Sequence, residues 1–309
     1  MSTQKPSKPK ILITGANGLL GQKLVEQLVE SGEFVVIATG KGPNRLSTEG
    51  FLYQSLDITN REEVDQVIGE IAPDTIIHGA AMTNVDQCEL NQEACVEVNV
   101  KATEYLVRAA EKVKAHFVFV STDFIFSGND GPYDEEATPD PVNFYGETKL
   151  TGEELVKNAQ TTWAIARTVL VFGIANDLSK TNIILWVKSS LEAGKVINVV
   201  DDQVRTPTLA EDLALGCILI AKQKAEGIFN ISGSDLLSAY DMAMQTADYF
   251  GLDKTLINKT DSTRFTQPAK RPLKTGFSIE KARKQLGYEP KTFRAGIGIL
   301  AKQIILASS

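Results

Sequence analysis

Short apolar runs alternate with amphipathic stretches along the first half of the chain. Residues 11–14, Ile-Leu-Ile-Thr, have the continuous apolar character of a strand covered on both faces. Residues 19–29 then place apolar side chains at three- and four-residue spacing, the pattern of a helix with one buried stripe. The alternation continues with strands expected at 34–38, 52–56, 75–78 and 117–120. Between them fall a helix that Asn60 can cap, with Glu62 and Glu63 in its first turn, and a long helix over 91–114. A helix over 145–158 and a strand over 164–171 extend the series. Strands separated by helices require right-handed crossovers, so the expected fold is α/β, a doubly wound parallel sheet. Beyond Gly173 the elements shorten: a helix over 181–192, a strand at 196–200, a loop rich in Asp and Arg, a helix over 209–222, a strand at 227–232, and helices over 238–250 and 278–286. Residues 1–173 are therefore expected to form the sheet domain. Residues 174–309 are expected to be mainly a smaller C-terminal lobe interleaved with it, with part of 205–232 returning to the sheet.

Composition narrows the function classes. The chain has 309 residues, 43% of them hydrophobic and 23% charged, enough apolar surface for a large core. Its formal charge of -7 leaves no basic excess to displace counterions, which argues against nucleic acid as a partner. Three cysteines without close pairing motifs and two histidines make a poor inventory for a metal, and none is assigned. The first ten residues carry Lys5, Lys8 and Lys10 but no apolar run. No stretch of about 20 apolar residues follows, so the expectation is a cytoplasmic protein without a membrane segment.

The segment Thr14-Gly15-Ala16-Asn17-Gly18-Leu19-Leu20-Gly21 stands where the first strand passes into the first helix. Glycines there permit a tight turn and close approach of backbone to a pyrophosphate, while the helix N-terminus supplies N–H groups to the phosphates. The plain alternative is a turn that is merely glycine-rich; the strand–turn–helix context favours a dinucleotide site contacted by Gly15, Asn17, Gly18, Leu19 and Gly21. After the second strand the chain reads Ala38-Thr39-Gly40-Lys41, with Arg45 beyond and no carboxylate before Glu49. A carboxylate there would hold a ribose 2′-hydroxyl and repel a 2′-phosphate. Its absence favours NADPH, with NADH left open, and makes Thr39, Lys41 and Arg45 candidate contacts; the alternative is that the two cations are simply solvated. Asp57 and Ile58, at the end of the third strand, are placed to meet the adenine.

Tyr145-Gly146-Glu147-Thr148-Lys149 puts a phenol and an ammonium four residues apart, on one face of a helix. The spacing alone is weak, but Ser121-Thr122-Asp123 ends a strand of the same sheet, at the edge where such sheets bind ligands. Ketone reduction needs a proton for the oxygen as hydride reaches the carbon. A phenol with a pKa of about 10 is a sluggish donor at neutral pH, and the Lys149 charge is expected to lower that value. The Thr122 hydroxyl can hold the carbonyl oxygen.

Taken together these segments resemble the dTDP-4-dehydrorhamnose reductase family of extended short-chain dehydrogenase/reductases, whose dinucleotide domain is Rossmann-like. The G-x-x-G-x-x-G spacing, Pro73 to His78, Ala80 to Glu89, Val98-Asn99, Ser121 to Gly128, Asn143 to Lys149, Arg167-Thr168, Asp202-Gln203, Thr206-Pro207-Thr208 and Arg271-Pro272 carry the likeness across nearly the whole chain. The resemblance implies a catalytic trio of Thr122, Tyr145 and Lys149, the last two also meeting the cofactor, with Ala80 and Ala81 along the cofactor groove. It implies that Asn99 supports the active-site helix and that Thr83, Val85, Asp123, Phe124, Gln203, Arg205, Thr206 and Pro207 lie on the sugar-nucleotide side. Arg205 reads as a diphosphate ligand, because guanidinium matches phosphate geometry, or else as an interlobe ion pair. The implied substrate is a nucleotide-activated deoxysugar and the implied assembly a monomer or homodimer; a Mg2+ requirement is left undecided. Three departures leave the sugar open: Phe124 where the family has tyrosine, Leu170 where it has tryptophan, and the bulky Val204-Arg205-Thr206.

Rival classes are similar in sequence. Sugar-nucleotide 4,6-dehydratases carry a glutamate where this chain has Phe124, which cannot exchange a proton. Epimerases share the tyrosine and lysine but hold NAD through the acidic residue missing after the second strand. The regulatory β subunit of methionine adenosyltransferase resembles these reductases yet acts as a partner subunit. His78 is expected to be a strand-end residue beside the groove, His116 a linker residue, Cys88 and Cys95 helix-packing thiols, and Trp163 and Trp186 core or interface residues, with Trp186 also a candidate ligand contact near the substrate lobe.

Overall fold

The computed structural model describes residues 8–176 and 182–307; Lys5 and the Thr181 start expected for one helix lie outside them. The first part of the chain runs β1 (Lys10–Thr14), α1 (Leu19–Ser31), β2 (Val35–Gly40), β3 (Leu52–Ser55), α2 (Arg61–Ile71), β4 (Thr75–His78), α3 (Val85–Leu90), α4 (Gln92–Val96), a π-helical turn (Glu97–Lys101), α5 (Ala102–Val113), β5 (His116–Thr122), α6 (Phe144–Lys157) and β6 (Trp163–Thr168). The remainder runs β7 (Val171–Phe172), α7 (Ile183–Glu192), β8 (Ile197–Val200), β9 (Val204–Arg205), β10 (Thr208–Leu209), α8 (Ala210–Gln223), β11 (Gly227–Asn230), β12 (Leu237–Ser238), α9 (Ala239–Phe250), β13 (Ile257–Thr260), α10 (Glu280–Leu286) and α11 (Phe293–Ala307).

Seven strands form one parallel sheet in the order β11-β6-β5-β4-β1-β2-β3. This is the doubly wound Rossmann-like arrangement, and the strand order reverses between β1 and β4, where such sheets open a ligand crevice at their carboxyl edge. Alternate residues of β1 enter different cores. Ile11 and Ile13 pack with Leu24, Leu213 and Phe229, whereas Leu12 packs with Val64, Leu106 and Phe117. That two-residue alternation is why Ile11, Leu12 and Ile13 are apolar in succession. Asn60 caps α2 as expected, accepting from the N–H groups of Glu62 and Glu63.

Two expectations are corrected. The strand read as 164–171 leaves the sheet after Thr168: Leu170 takes φ 34, and Val171–Phe172 pairs instead with Thr208–Leu209. Positive φ in a leucine is costly and breaks the strand. The long helix over 91–114 is interrupted by the π turn at Glu97–Lys101, and a separate helix, α3, precedes it. The chain also forms β13 and α11, for which the sequence pattern gave no expectation; Gly296 and Gly298 obscure the helical period of α11. The shorter elements surround two further apolar clusters, one around Phe172, Ile184, Met242 and Phe293 and one around Val187, Ile197, Ala243 and Ile257. No helix among the described residues is long and apolar enough to cross a membrane.

Candidate active site

The glycine turn closes over the crevice between β1 and β4. Gly15 has φ 74, and a Cβ on it would stand 2.9 Å from the backbone of Ala80, so only glycine fits. Gly18 is the N-cap of α1; no side chain caps this helix and no acidic residue lies in its first turn. Its first N–H groups therefore lack a side-chain partner, a fit to a dinucleotide pyrophosphate. The Asn17 carboxamide reaches across to the loop after β2: it donates to Pro43 O and to the Tyr53 hydroxyl (both 3.1 Å) and accepts from Arg45 N (3.0 Å). Tyr53, which sequence reasoning missed, thus fastens the loop that carries Lys41 and Arg45.

Lys41 lies at the rim, exposed, 2.7 Å from Asp57. Each stabilises the other's charge: the lysine pKa is raised and that of the carboxyl lowered, mainly by their shared hydrogen bond. Ile58 is half-buried against the α2–α5 side of the sheet. Thr39 does not face the crevice. It is fully buried and its hydroxyl donates to Ile13 O, so its side chain is engaged within the sheet.

A chain of buried hydrogen bonds runs from the crevice to the helix that carries Tyr145. Thr14 Oγ1 accepts from Ala80 N and lies 2.8 Å from His78 Nδ1; His78 Nε2 lies 3.1 Å from Thr103 Oγ1; Thr103 donates to Asn99 O. Because the Thr103 proton is committed to Asn99 O, His78 must donate from Nε2 and accept at Nδ1. It is the neutral tautomer, consistent with burial lowering its pKa to about 3. Asn99 sits in the π turn. Its side chain exchanges hydrogen bonds with the backbone of Met82 and donates to Cys95 Sγ and Thr148 Oγ1. It is a buried strut between the β4 loop and α6, with Ala80 and Ala81 half-buried alongside.

Asn143 caps α6, accepting from Gly146 N (2.9 Å) and donating to Lys270 O (2.8 Å). A Cβ at Gly146 would lie 2.1 Å from Phe124 O, so glycine is what lets α6 press against the turn after β5. That contact brings Tyr145 against Thr122, whose hydroxyl favours ionisation of the phenol. Phe124 meets the Tyr145 ring edge-on at 5.8 Å. One helical turn on, Lys149 Nζ stands 3.9 Å from the centre of the Phe119 ring. Two turns on, Glu153 takes a bidentate bond from Arg167 of β6, at 3.0 and 2.7 Å, with both residues buried.

The expected lowering of the Tyr145 pKa is overridden. Burial raises it above the usual tyrosine value, and burial lowers that of Lys149 to about 7 despite the charges of Glu153 and Cys95. Enclosure penalises both charged forms more than either neighbour relieves. The phenol is held as the protonated acid, the form a proton donor needs.

On the other side of Thr122, Asp123 and Arg205 are both buried. Arg205 donates to the carbonyls of Val204, Leu273 and Pro272 and lies 3.5 Å from Asp123. Its donors are engaged within the chain, so it is the interlobe ion pair and not an open diphosphate ligand; Asp123 likewise presents no surface to a substrate. Pro207 is buried, Thr83 is exposed, and Val85 packs beside Tyr145. Gln203 lines a cavity of about 530 Å³ together with Leu170, Trp186, Asn198 and Phe265. Thr168 is the register partner of Thr122, so Leu170 brings the cavity wall to the strand end next to the trio, although Tyr145 itself is not part of that wall. Asn198 and Phe265 carry no motif that sequence reasoning could have found. Among the described residues no cluster of three or more His, Cys, Asp or Glu is placed to hold a metal ion.

Comparison with known proteins agrees with this geometry. The model of the RmlD substrate binding domain family matches residues 9–305. The dTDP-4-dehydrorhamnose reductase of Aggregatibacter actinomycetemcomitans is 31% identical over 93% of this chain and 97% of its own. Methionine adenosyltransferase 2 subunit beta of Xenopus laevis is 31% identical over 94% of this chain and 86% of its own. The crystal structure of dTDP-4-dehydrorhamnose reductase from Bacillus anthracis in complex with NADP superposes with a TM-score of 0.85 at 28% identity, over 96% of this chain and all of that one. The chain belongs to the dTDP-4-dehydrorhamnose reductase family, and its class is that of an NAD(P)H-dependent oxidoreductase.

Proposed function

We propose that the protein reduces the 4-keto group of a nucleotide-activated deoxysugar of the dTDP-4-dehydrorhamnose type, with NADPH as cofactor and Tyr145 as proton donor. The observation that carries the proposal is a buried phenol kept protonated against Thr122, one helical turn before Lys149, at the carboxyl edge of the sheet beside the glycine turn. The cofactor, when bound, supplies the hydride. The chain's part is to seat the pyrophosphate at the α1 N-terminus, to hold the 2′-phosphate near Lys41 and Arg45, and to deliver the phenolic proton to the carbonyl oxygen. Tyr145 then carries the charge that a neighbouring ammonium at Lys149 stabilises. NADP in the Bacillus anthracis reductase supports the choice of cofactor. The 530 Å³ cavity offers the nucleotide-sugar a largely apolar wall.

The experiment is oxidation of NADPH followed by absorbance with dTDP-4-keto-6-deoxy-mannose, on the wild type and on Tyr145→Phe. Turnover is expected in the first and a loss on the order of 10² in the second, with NADPH binding unchanged. Equal rates would remove the phenol from its role. The similarity to methionine adenosyltransferase 2 subunit beta supports a second reading, a non-catalytic NADP-binding regulatory subunit; NADPH binding without turnover of any nucleotide sugar would select it. Epimerisation, which regenerates its cofactor, would show as product without net NADPH loss.

A further inference from the structure

The first N–H groups of a helix have no partner within it, and at the start of α6 two of them are taken by different parts of the chain. The Asn143 side chain accepts that of Gly146 at 2.9 Å. The N–H of Phe144 goes instead to a carboxylate from another helix, Glu89 Oε2 of α3, at 3.1 Å. Tyr145 thus sits between two amides that separate elements hold. Val85 and Cys88, also of α3, share an apolar cluster with Tyr145, so the same short helix meets this residue by side-chain packing and by a hold on its backbone. The two holds are joined behind the helix. Asp86, one turn before Glu89, accepts from Ala269 N (3.2 Å) and grips the Arg271 guanidinium at 2.9 and 2.8 Å. Between those two residues Lys270 O accepts from Asn143 (2.8 Å). α3, the 269–271 loop and the start of α6 therefore close a ring of hydrogen bonds.

We infer that Glu89 is a positioning residue of the reaction: it holds the Phe144 N–H and, with Asn143, fixes the first turn of α6, so that Tyr145 keeps its place at the carboxyl edge of the sheet. The inference deepens the reductase reading, on which its kinetic consequence rests. Its structural consequence does not depend on turnover. Glu89 acts as a hydrogen-bond acceptor, with a charge that suits a helix N-terminus. Its loss leaves the Asn143 cap, so α6 still forms, but the peptide group before Tyr145 is released. A small displacement of a catalytic group costs more in rate than in stability. A carboxylate that exchanged a proton with substrate would be disabled by an amide in its place, and one that bound the sugar would show in KM.

The test uses the full chain labelled with ¹⁵N-phenylalanine, the Phe144 amide being identified by its loss in Phe144→Leu. Exchange of that amide with solvent deuterium is expected to quicken about tenfold or more in Glu89→Ala. The milder Glu89→Asp keeps the charge but shortens the reach, and is expected to act in the same direction to a smaller extent. Glu89→Gln, whose amide oxygen takes the carboxylate's place, is expected to stay near the wild-type rate. An unaltered Phe144 amide in whichever of Glu89→Ala and Glu89→Asp folds overturns the inference, whether or not the protein turns over a sugar. In the NADPH assay, kcat is expected to fall about tenfold or more in Glu89→Ala, with KM for both substrates within about twofold. Glu89→Gln is expected to recover kcat to within about threefold of the wild type. Glu89→Gln as slow as Glu89→Ala, a rise in KM at constant kcat, or wild-type turnover alongside a released amide overturns the inference. A released amide in a protein that turns over no nucleotide sugar upholds the hold on α6 and rejects the reductase reading alone.

Discussion

Two regions of the site are fastened by arginine–carboxylate forks of nearly the same length. On the sheet side Arg167 holds Glu153 of α6 at 3.0 and 2.7 Å; on the loop side Arg271 holds Asp86 of α3 at 2.9 and 2.8 Å. Their surroundings differ. The side chains of the first pair are 1% and 0% exposed, those of the second 17% and 32%. Distance therefore says little about what either pair contributes. The buried fork holds two charges that would be ruinous unpaired, so it fixes α6 against β6 with little tolerance. The half-exposed one shares its charges with water and so contributes less to fixing its loop.

Four outcomes sharpen that comparison. Arg167→Met leaves Glu153 buried without its partner and is expected to cost about 3–5 kcal/mol in denaturant unfolding; a cost below about 1 kcal/mol would erase the distinction between the regions. His78→Leu breaks the neutral hydrogen-bond chain on the sheet side and leaves the buried Thr14 proton without its acceptor, so about 1–3 kcal/mol is expected by the same measurement. The third outcome concerns pH. Lys149 carries its charge in the folded protein only below about 7, against 10.5 ordinarily. As pH rises through 7, kcat/KM for NADPH should decline towards tenfold per unit, and Lys149→Met should be slow without that limb. A wild-type profile flat to pH 9 would show that the ammonium is not needed. The linkage has the opposite sign for stability. Between about 7 and 10.5 the unfolded chain binds the extra proton, so this group's contribution to stability increases with pH across that window. Smallest is Asp86→Ala, expected to cost less than about 1 kcal/mol and to be measurable mainly at low salt.

The same contrast explains what the sequence disclosed. The crevice was legible because its demands are local. Gly15 must turn at positive φ beside Ala80, Gly146 must let α6 approach Phe124 O, and Tyr145 and Lys149 must share one helical face; each requirement leaves a residue type at a fixed short spacing. The strands β1, β4 and β5 were legible for a related reason, since burial on both faces admits few polar side chains. The loop side was not legible. Thr275 meets Asp123 from 152 residues away and Arg271 meets Asp86 from 185, separations that no spacing rule encodes. Arg205 illustrates the cost of reading type without place: a guanidinium suits a phosphate, but here three carbonyls and a carboxylate surround it. The π turn was hidden because its sequence is ordinary helix, and only the need to bring Asn99 to Met82 and Thr148 reveals it.

The return of β11 to the far edge of the sheet has a practical consequence. β11 pairs with β6, and α8, just before it, lies on α1 and contributes Leu213 and Ile220 to the core beneath the glycine turn. A chain cut after Gly173 would leave β6 with a bare row of amide groups and α1 with its apolar stripe in water. The dinucleotide half should thus be insoluble as a fragment, and a protease nick between the halves should leave two pieces that travel together until denatured.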